Sequence, residues 1–361
     1  MSSDRLSVEV GGIRLANPVI CGAGEHLIEP SGVRAAIEAG AGAVVVKSAN
    51  ESEAARRQLA HTDYALLDSS WRHLPWDFDP PADASLLNRS GLYPGSFDGW
   101  LAMTAELVAD NGPSVIIPSI IPADYDRAAE LCTQVVDTTG CAVIELNTGA
   151  PHGREASAGT IALETGADRL RNLVAEVRRS VTVPLWVKLT GQTDDVVALA
   201  EAASEAGADA VTLMGRFMAM LPDVETQAPV LGTAGAFGGP WALPLTCRWL
   251  ALARERLGPD TSLVATNGAR TGLDVARFLL AGARAVQMTS AVFTGGFGTI
   301  GATIDELDRY LVEHDDTAEE IVGRAADRLE RYTDQPVDPD RWHQFVPPEA
   351  RPSEAGREGS E

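Results

Sequence analysis

Eight short apolar runs, each joined to the next by a longer segment that mostly carries helical periodicity, recur along this chain, and no other feature limits its fold so tightly. The runs are Pro18–Cys21, Ala43–Val46, Ser114–Pro118, Ala142–Leu146, Leu185–Leu189, Ala210–Leu213, Ser262–Thr266 and Ala285–Met288. A strand that is apolar on both faces must be covered on both, which calls for a parallel sheet with crossover helices outside it. Helical patterns fill several of the intervals: Ser31–Ala39, Asp124–Thr138, Gly166–Ser180, Thr193–Ala206, Leu243–Leu257 and Gly272–Ala281. Gly40, Gly207 and Gly282, each inside an Ala/Gly segment, punctuate helix ends before the next run. Eight such units in roughly 250 residues are what a (β/α)8 TIM barrel needs, with an open doubly wound α/β sheet as competitor because periodicity cannot show closure. Residues 51–100, with Trp71, Pro75, Trp76, Pro80 and Pro81, form a long insertion expected to fold over the C-terminal face of the barrel. A last helix is expected at Thr317–Tyr332. The barrel domain is thus residues 1–335, and residues 336–361 are a Pro-rich tail too polar to order itself.

The formal net charge of −22 argues against a nucleic-acid partner, since a phosphate backbone would be repelled over most of the surface. No long uncharged apolar run implies a membrane span, and the amino terminus lacks the pattern of a signal peptide, so a soluble cytoplasmic protein is expected. Cys21, Cys132, Cys141 and Cys247 are far apart and lack Cys-x-x-Cys spacing. They read as free core thiols, and neither an iron–sulfur cluster nor a metal site is signalled.

Chemistry is expected at the carboxyl ends of the strands. Ala142-Val-Ile-Glu-Leu-Asn147 runs straight into the Gly/Pro-broken segment Thr148-Gly-Ala-Pro-His-Gly153, which puts Asn147 at a strand end and His152 in the loop beyond. Lys188 falls inside the apolar run Leu185–Leu189 and Lys47 ends the run Ala43–Val46; a cation there either reaches solvent or is compensated by a partner or ligand. Three later segments, Gly235–Gly239, Thr266–Ala269 and Thr289–Ala291, follow a strand or open a helix, where free backbone amides favour a phosphate.

These segments, in this order, resemble those of the flavin-dependent dihydroorotate dehydrogenases and the pyrimidine-reducing domain of dihydropyrimidine dehydrogenases. Asn17-Pro-Val-Ile-Cys-Gly-Ala-Gly24 is similar to the family's first strand, following an opening Leu6–Pro18 hairpin, and Lys47-Ser48 to its flavin-binding Lys with Ser or Thr. Leu86-Leu-Asn88 with Gly91-Leu92 resembles its substrate-contacting Asn segment, and Glu145-Leu-Asn147 and Val187-Lys-Leu189 resemble two further motifs. The resemblance implies FMN, with Lys47, Asn147 and Lys188 near the isoalloxazine and Gly238, Gly239, Gly268, Thr289 and Ser290 near the phosphate. Gly22, Ala23, Ser48 and Asn267 complete the implied cofactor set.

The departures gather around the substrate. Ala150 stands where the family keeps a Cys or Ser base and has no group to accept a proton. After the sixth strand, Met214-Gly-Arg216 replaces an Asn followed by Ser or Thr. Three residues are therefore the catalytic candidates: Asn88, which remains from the amide-reading set; His152, the titratable group nearest the vacant base position; and Arg216, whose planar fork suits a carboxylate or phosphate. Arg216 as a solvated loop residue and His152 as a structural one stay open, and Thr148, His26 and Glu25 rank behind them. The expected function is FMN-dependent oxidoreduction by hydride transfer, CH–CH type, on a small, non-pyrimidine substrate that carries a negative charge (an anionic substrate) or a strong acceptor. An external soluble electron donor or acceptor completes the reaction. A non-redox FMN-dependent lyase or isomerase, and an inactive flavin-binding homologue, are the alternatives; oligomeric state, a homodimer included, stays open.

Overall fold

The computed structural model describes residues 5–110, 112–149, 166–215 and 217–351. All eight apolar runs become strands of one parallel sheet: β1 (Val19–Cys21), β2 (Ala43–Val45), β3 (115–120), β4 (Ile144–Asn147), β5 (Leu185–Lys188), β6 (Ala210–Leu213), β7 (Leu263–Thr266) and β8 (Ala285–Met288). Pro118, which has no N–H to give the ladder, divides β3 into Val115–Ile117 and Ser119–Ile120. The first part pairs with β2 (Ala43↔Val115) and the second with β4 (Glu145↔Ser119), so the strand bends from one neighbour to the other. With β8 paired to β1 (Val286↔Val19), the ring closes and the open-sheet alternative falls.

The helices outside follow the same burial logic. Ala167–Ser180 turns Leu170, Leu173, Val174 and Val177 inward, one stripe of a helix of period 3.6. Gly272–Leu280 starts with a capping box in which Thr271 and Asp274 satisfy each other's backbone N–H. The amino-terminal hairpin, Val8–Val10 with Ile13–Leu15, closes the bottom of the barrel. Its Gly11 N–H donates to Ser262 Oγ at 2.9 Å, just before β7, and Val8, Val10 and Leu15 are fully buried.

Three expectations need correction. The region 51–100 is more than a connection: Asp63–Leu67, His73–Leu74 and Ser85–Arg89 are antiparallel strands. They join Phe217–Ala219 and Gly235–Gly238, from the segment after β6, in a five-stranded sheet. Gly235–Gly238, expected only to follow a strand or open a helix, is itself a strand of this cover. Thr317–Tyr332 is not a helix; the last helix of the barrel unit is Gly298–His314. At Gly323 the backbone enters the left-handed region (φ +77°), and the Gly323 and Ala325 N–H groups bond to the Leu279 and Leu280 carbonyls instead of continuing a helix.

One compact unit runs to Asp327, and a second begins at Arg328. Taken by itself, the second consists of short 3-10 turns, including Tyr332–Asp334 and Arg341–Gln344, and no side chain from 328 to 351 is buried. Among the described residues, no helix is long and apolar enough to cross a membrane.

Candidate active site

A cavity of about 1070 Å³ lies between the carboxyl ends of the barrel strands and the antiparallel cover. Alternation along Ser85–Arg89 explains its roof: Leu86 and Asn88 face the cavity, while Leu87 turns away into an apolar cluster with Ala65, Leu67 and Leu231. Asn88 stands in register with Tyr64 on one side and Ala236 on the other, and all three line the cavity.

At one end the cavity is bounded by Ala23, Lys47, Ser48, Asn147 and Lys188. Lys47 is buried, with its Nζ 3.3 Å from Glu25 Oε1. Burial pushes the Glu25 carboxyl up, but Lys47 and the Gly91 N–H outweigh this and hold it below the ordinary carboxylate range. Lys188 meets the first of a chain of side chains that spans the barrel interior. Its Nζ donates to Gln287 Oε1 at 2.6 Å, and Gln287 Nε2 donates to Glu145 Oε2 at 2.6 Å. Glu145 Oε1 accepts from Ser119 Oγ at 2.8 Å, and Ser119 Oγ lies 2.8 Å from Ser48 Oγ. Glu145 is wholly buried, so these bonds compensate a carboxyl group removed from bulk solvent. The network fixes the Lys188 ammonium from β8 and β4, not from its own strand. Asn147 is oriented by the Gly149 N–H, which donates to its Oδ1 at 3.1 Å.

Gly238, Asn267, Gly268, Thr289 and Ser290 wall the cavity as well. Gly268 has φ +126°, and a Cβ there would lie 2.6 Å from the Leu243 N, so only glycine lets this turn approach the start of the preceding helix, Leu243–Leu257, so closely. Asn267, also left-handed at φ +69°, has its carbonyl held by Thr246 Oγ1 at 2.9 Å. Bare backbone and two hydroxyls form a cradle whose chemistry suits a phosphate, while two fixed cations suit an electron-rich ring system. In the chemistry of its walls the cavity suits a phosphorylated flavin together with a small substrate.

Of the other sequence candidates, Gly22 and Gly239 lie just behind these walls. Gly22 packs against Thr289, and Gly239 against Ser85. His26 is tucked away between Phe293 and Phe297, with Nε2 3.5 Å from Cys21 Sγ. Thr148 donates its hydroxyl to the Lys188 carbonyl at 2.9 Å. Ala150, His152 and Arg216 lie outside the described residues. Gly215 lines the cavity, and a Cβ there would overlap the Leu189 carbonyl oxygen, so the position after Met214 is glycine for backbone reasons as well as for space. Sequence reasoning gave no role to Gln287 or Glu145, although each is a lone polar residue within an apolar strand, and that was the available signal. Tyr64 carried no such mark.

A closed parallel barrel with a covered cavity at its carboxyl end, one buried and one partly buried lysine and a glycine-walled cradle defines an enzyme of the (β/α)8 class built for a phosphorylated cofactor. A family model described as dihydroorotate dehydrogenase matches residues 72–311. The catalytic subunit of dihydroorotate dehydrogenase B (NAD(+)) from Methanocella arvoryzae is 28% identical over 326 residues, covering 89% of this chain and 98% of that protein. The corresponding subunit from Thermococcus kodakarensis is 29% identical over 329 residues, covering 90% and 99%. In fold, the chain is similar to a DHODH from Eimeria tenella solved in complex with ferulenol, with a TM-score of 0.65 at 17% identity over 90% of this chain and 89% of the other. The chain belongs to the dihydroorotate dehydrogenase family. It is an FMN-dependent oxidoreductase of the CH–CH type.

Proposed function

We propose that the protein transfers hydride between FMN and a small, non-pyrimidine substrate held under Asn88, and that it exchanges electrons with a soluble partner outside the chain. The observation that carries this reading is Ala150, at the position where the family keeps its proton-accepting Cys or Ser. FMN, when bound, supplies the hydride acceptor or donor. Lys47 and Lys188 place positive charge beside the ring system; Gly238, Gly268, Thr289 and Ser290 receive the phosphate. Asn88 and Asn147 orient the substrate. Gly215 adds no polar side chain to the wall where the family has an amide, so a pyrimidine dione would lose hydrogen bonds there and be discriminated against. His152 is the proposed proton donor or acceptor, and Arg216 the proposed clamp for a substrate carboxylate or phosphate.

The relatives are named as dihydroorotate dehydrogenases using NAD(+) and as catalytic subunits, which supports an electron partner outside the chain and a second reading in which dihydroorotate is the substrate. Retention of Asn88 and Asn147 favours that second reading. One experiment separates them: mix the purified protein with dihydroorotate without oxygen and follow bleaching of the flavin band. The non-pyrimidine reading expects bleaching to be negligible. In the Ala150→Cys variant the proton-transfer half should return, raising the rate by about 10²–10⁴-fold at unchanged substrate affinity. Rapid bleaching in the unmodified protein would establish the second reading.

A further inference from the structure

We propose that Arg270 is the counter-ion of the cofactor's phosphate group; the proposal rests on the FMN reading above. Behind the cradle lies a second, small cavity of about 270 Å³, lined by Arg270 together with Ala84, Leu86, Gly238, Gly268 and Ser290. The last four of these also wall the main cavity, so Arg270 stands directly behind the glycine-walled end.

Its guanidinium is half-buried and, among the described residues, makes no ion pair within 4.0 Å. Among the described residues its one side-chain hydrogen bond is long, from Nη1 to the Ala84 carbonyl at 3.4 Å. Asp274, the obvious partner, is engaged elsewhere. Its Oδ2 accepts the Arg270 and Thr271 backbone N–H groups at 3.0 and 3.2 Å, and its Oδ1 takes Arg277 at 2.9 Å. Burial accordingly pulls the Arg270 guanidinium below its ordinary range, with Asp274 and Asp83 acting only through space. A half-buried cation without a carboxylate carries part of the cost of desolvation, which an anion beside it would offset.

The cradle has the opposite deficit. It offers backbone amides and hydroxyls, while Lys47 and Lys188 are held by Glu25 and Gln287. A phosphate monoester carrying close to two negative charges, in a protein of net charge −22, finds its compensating fork in Arg270.

The test compares binding of FMN with binding of riboflavin, which has the same ring and no phosphate, by quenching of flavin fluorescence in stripped protein. Arg270→Met should weaken FMN by about 10- to 100-fold and leave riboflavin within about threefold. Arg270→Lys, which keeps the charge and loses the fork, should fall between the two. Inorganic phosphate should raise the melting temperature of the unmodified apoprotein and not that of the Met variant. If Met replacement prevents folding, the Lys variant decides alone, by a selective loss of FMN. Equal weakening of both flavins would make Arg270 a clasp that holds Ala84 and the cover, and would overturn the proposal, as would unchanged FMN binding. An unmodified protein that takes up neither flavin would overturn the FMN reading, and the proposal with it.

Discussion

His26 illustrates how a residue near the reaction centre can belong to the scaffold. Its imidazole sits between Phe293 and Phe297, and burial lowers its pKa to about 4, with Glu25 pulling up and Lys47 pushing down. It is therefore neutral at physiological pH and poorly suited to exchange protons there. The linkage has a definite sign. On acidification the unfolded chain takes up the His26 proton first, near its ordinary value of 6.5. The stability His26 contributes is thus full above pH 6.5 and is lost as pH falls towards 4, at a slope of up to about 1.4 kcal/mol per pH unit. Glu25, whose folded value is depressed, adds its own loss only below about pH 4.5. Urea unfolding at pH 7 and pH 5 should show this loss in the unmodified protein and a much flatter response in His26→Gln. Equal pH slopes in the two proteins would mean that the imidazole protonates freely in the folded state.

The cover sheet is the element on which the site depends most, and its strands come from two places far apart in the chain. Leu87, 1% exposed, packs with Ala65, Leu67 and Leu231 in a cluster separate from the barrel core. Truncation to Ala removes most of its side chain from a small core that has little else to fill the gap, a change of about 2–5 kcal/mol in ordinary cores. Because the cluster is separate, the loss should appear as local opening. Hydrogen exchange in Leu87→Ala should accelerate in Asp63–Leu67, Ser85–Arg89 and Gly235–Gly238, with the barrel strands unchanged. Uniform acceleration would show that cover and barrel unfold as one unit. Asn88 lies next to Leu87, so the same variant should lose substrate affinity before it loses flavin.

For the whole molecule, the boundary at Asp327 makes a prediction of its own. Arg254 is paired to Asp327 through two hydrogen bonds of 2.7 and 2.8 Å, within the barrel unit, and no side chain from 328 to 351 is buried. A chain ending at Asp327 should unfold in one cooperative transition at the melting temperature of the full chain and carry the same amount of flavin. A fall of several degrees would show that the residues beyond contribute to the fold, since about 1 kcal/mol shifts a domain of this size by a few degrees.

What the sequence determined by itself was whatever is written in neighbouring residues. Eight apolar runs and their helices, the lysines at strand ends and the glycine-marked turns at the cavity wall are local patterns, because side-chain periodicity follows backbone geometry over a few residues. Closure of the barrel was decided by the bend at Pro118, where one strand serves two neighbours. The cover was decided by pairing of Leu87 with Phe237 and Ala65, a partnership between insertions that no short window reveals. Lys188 and Gln287 are separated by 99 residues, and Gln287 and Glu145 by 142. Read singly, these are a strand-end cation, an unexplained amide and an unexplained carboxylate. Only a closed ring of strands brings them to hydrogen-bonding distance, and burial then requires each polar group to find its partner among the others.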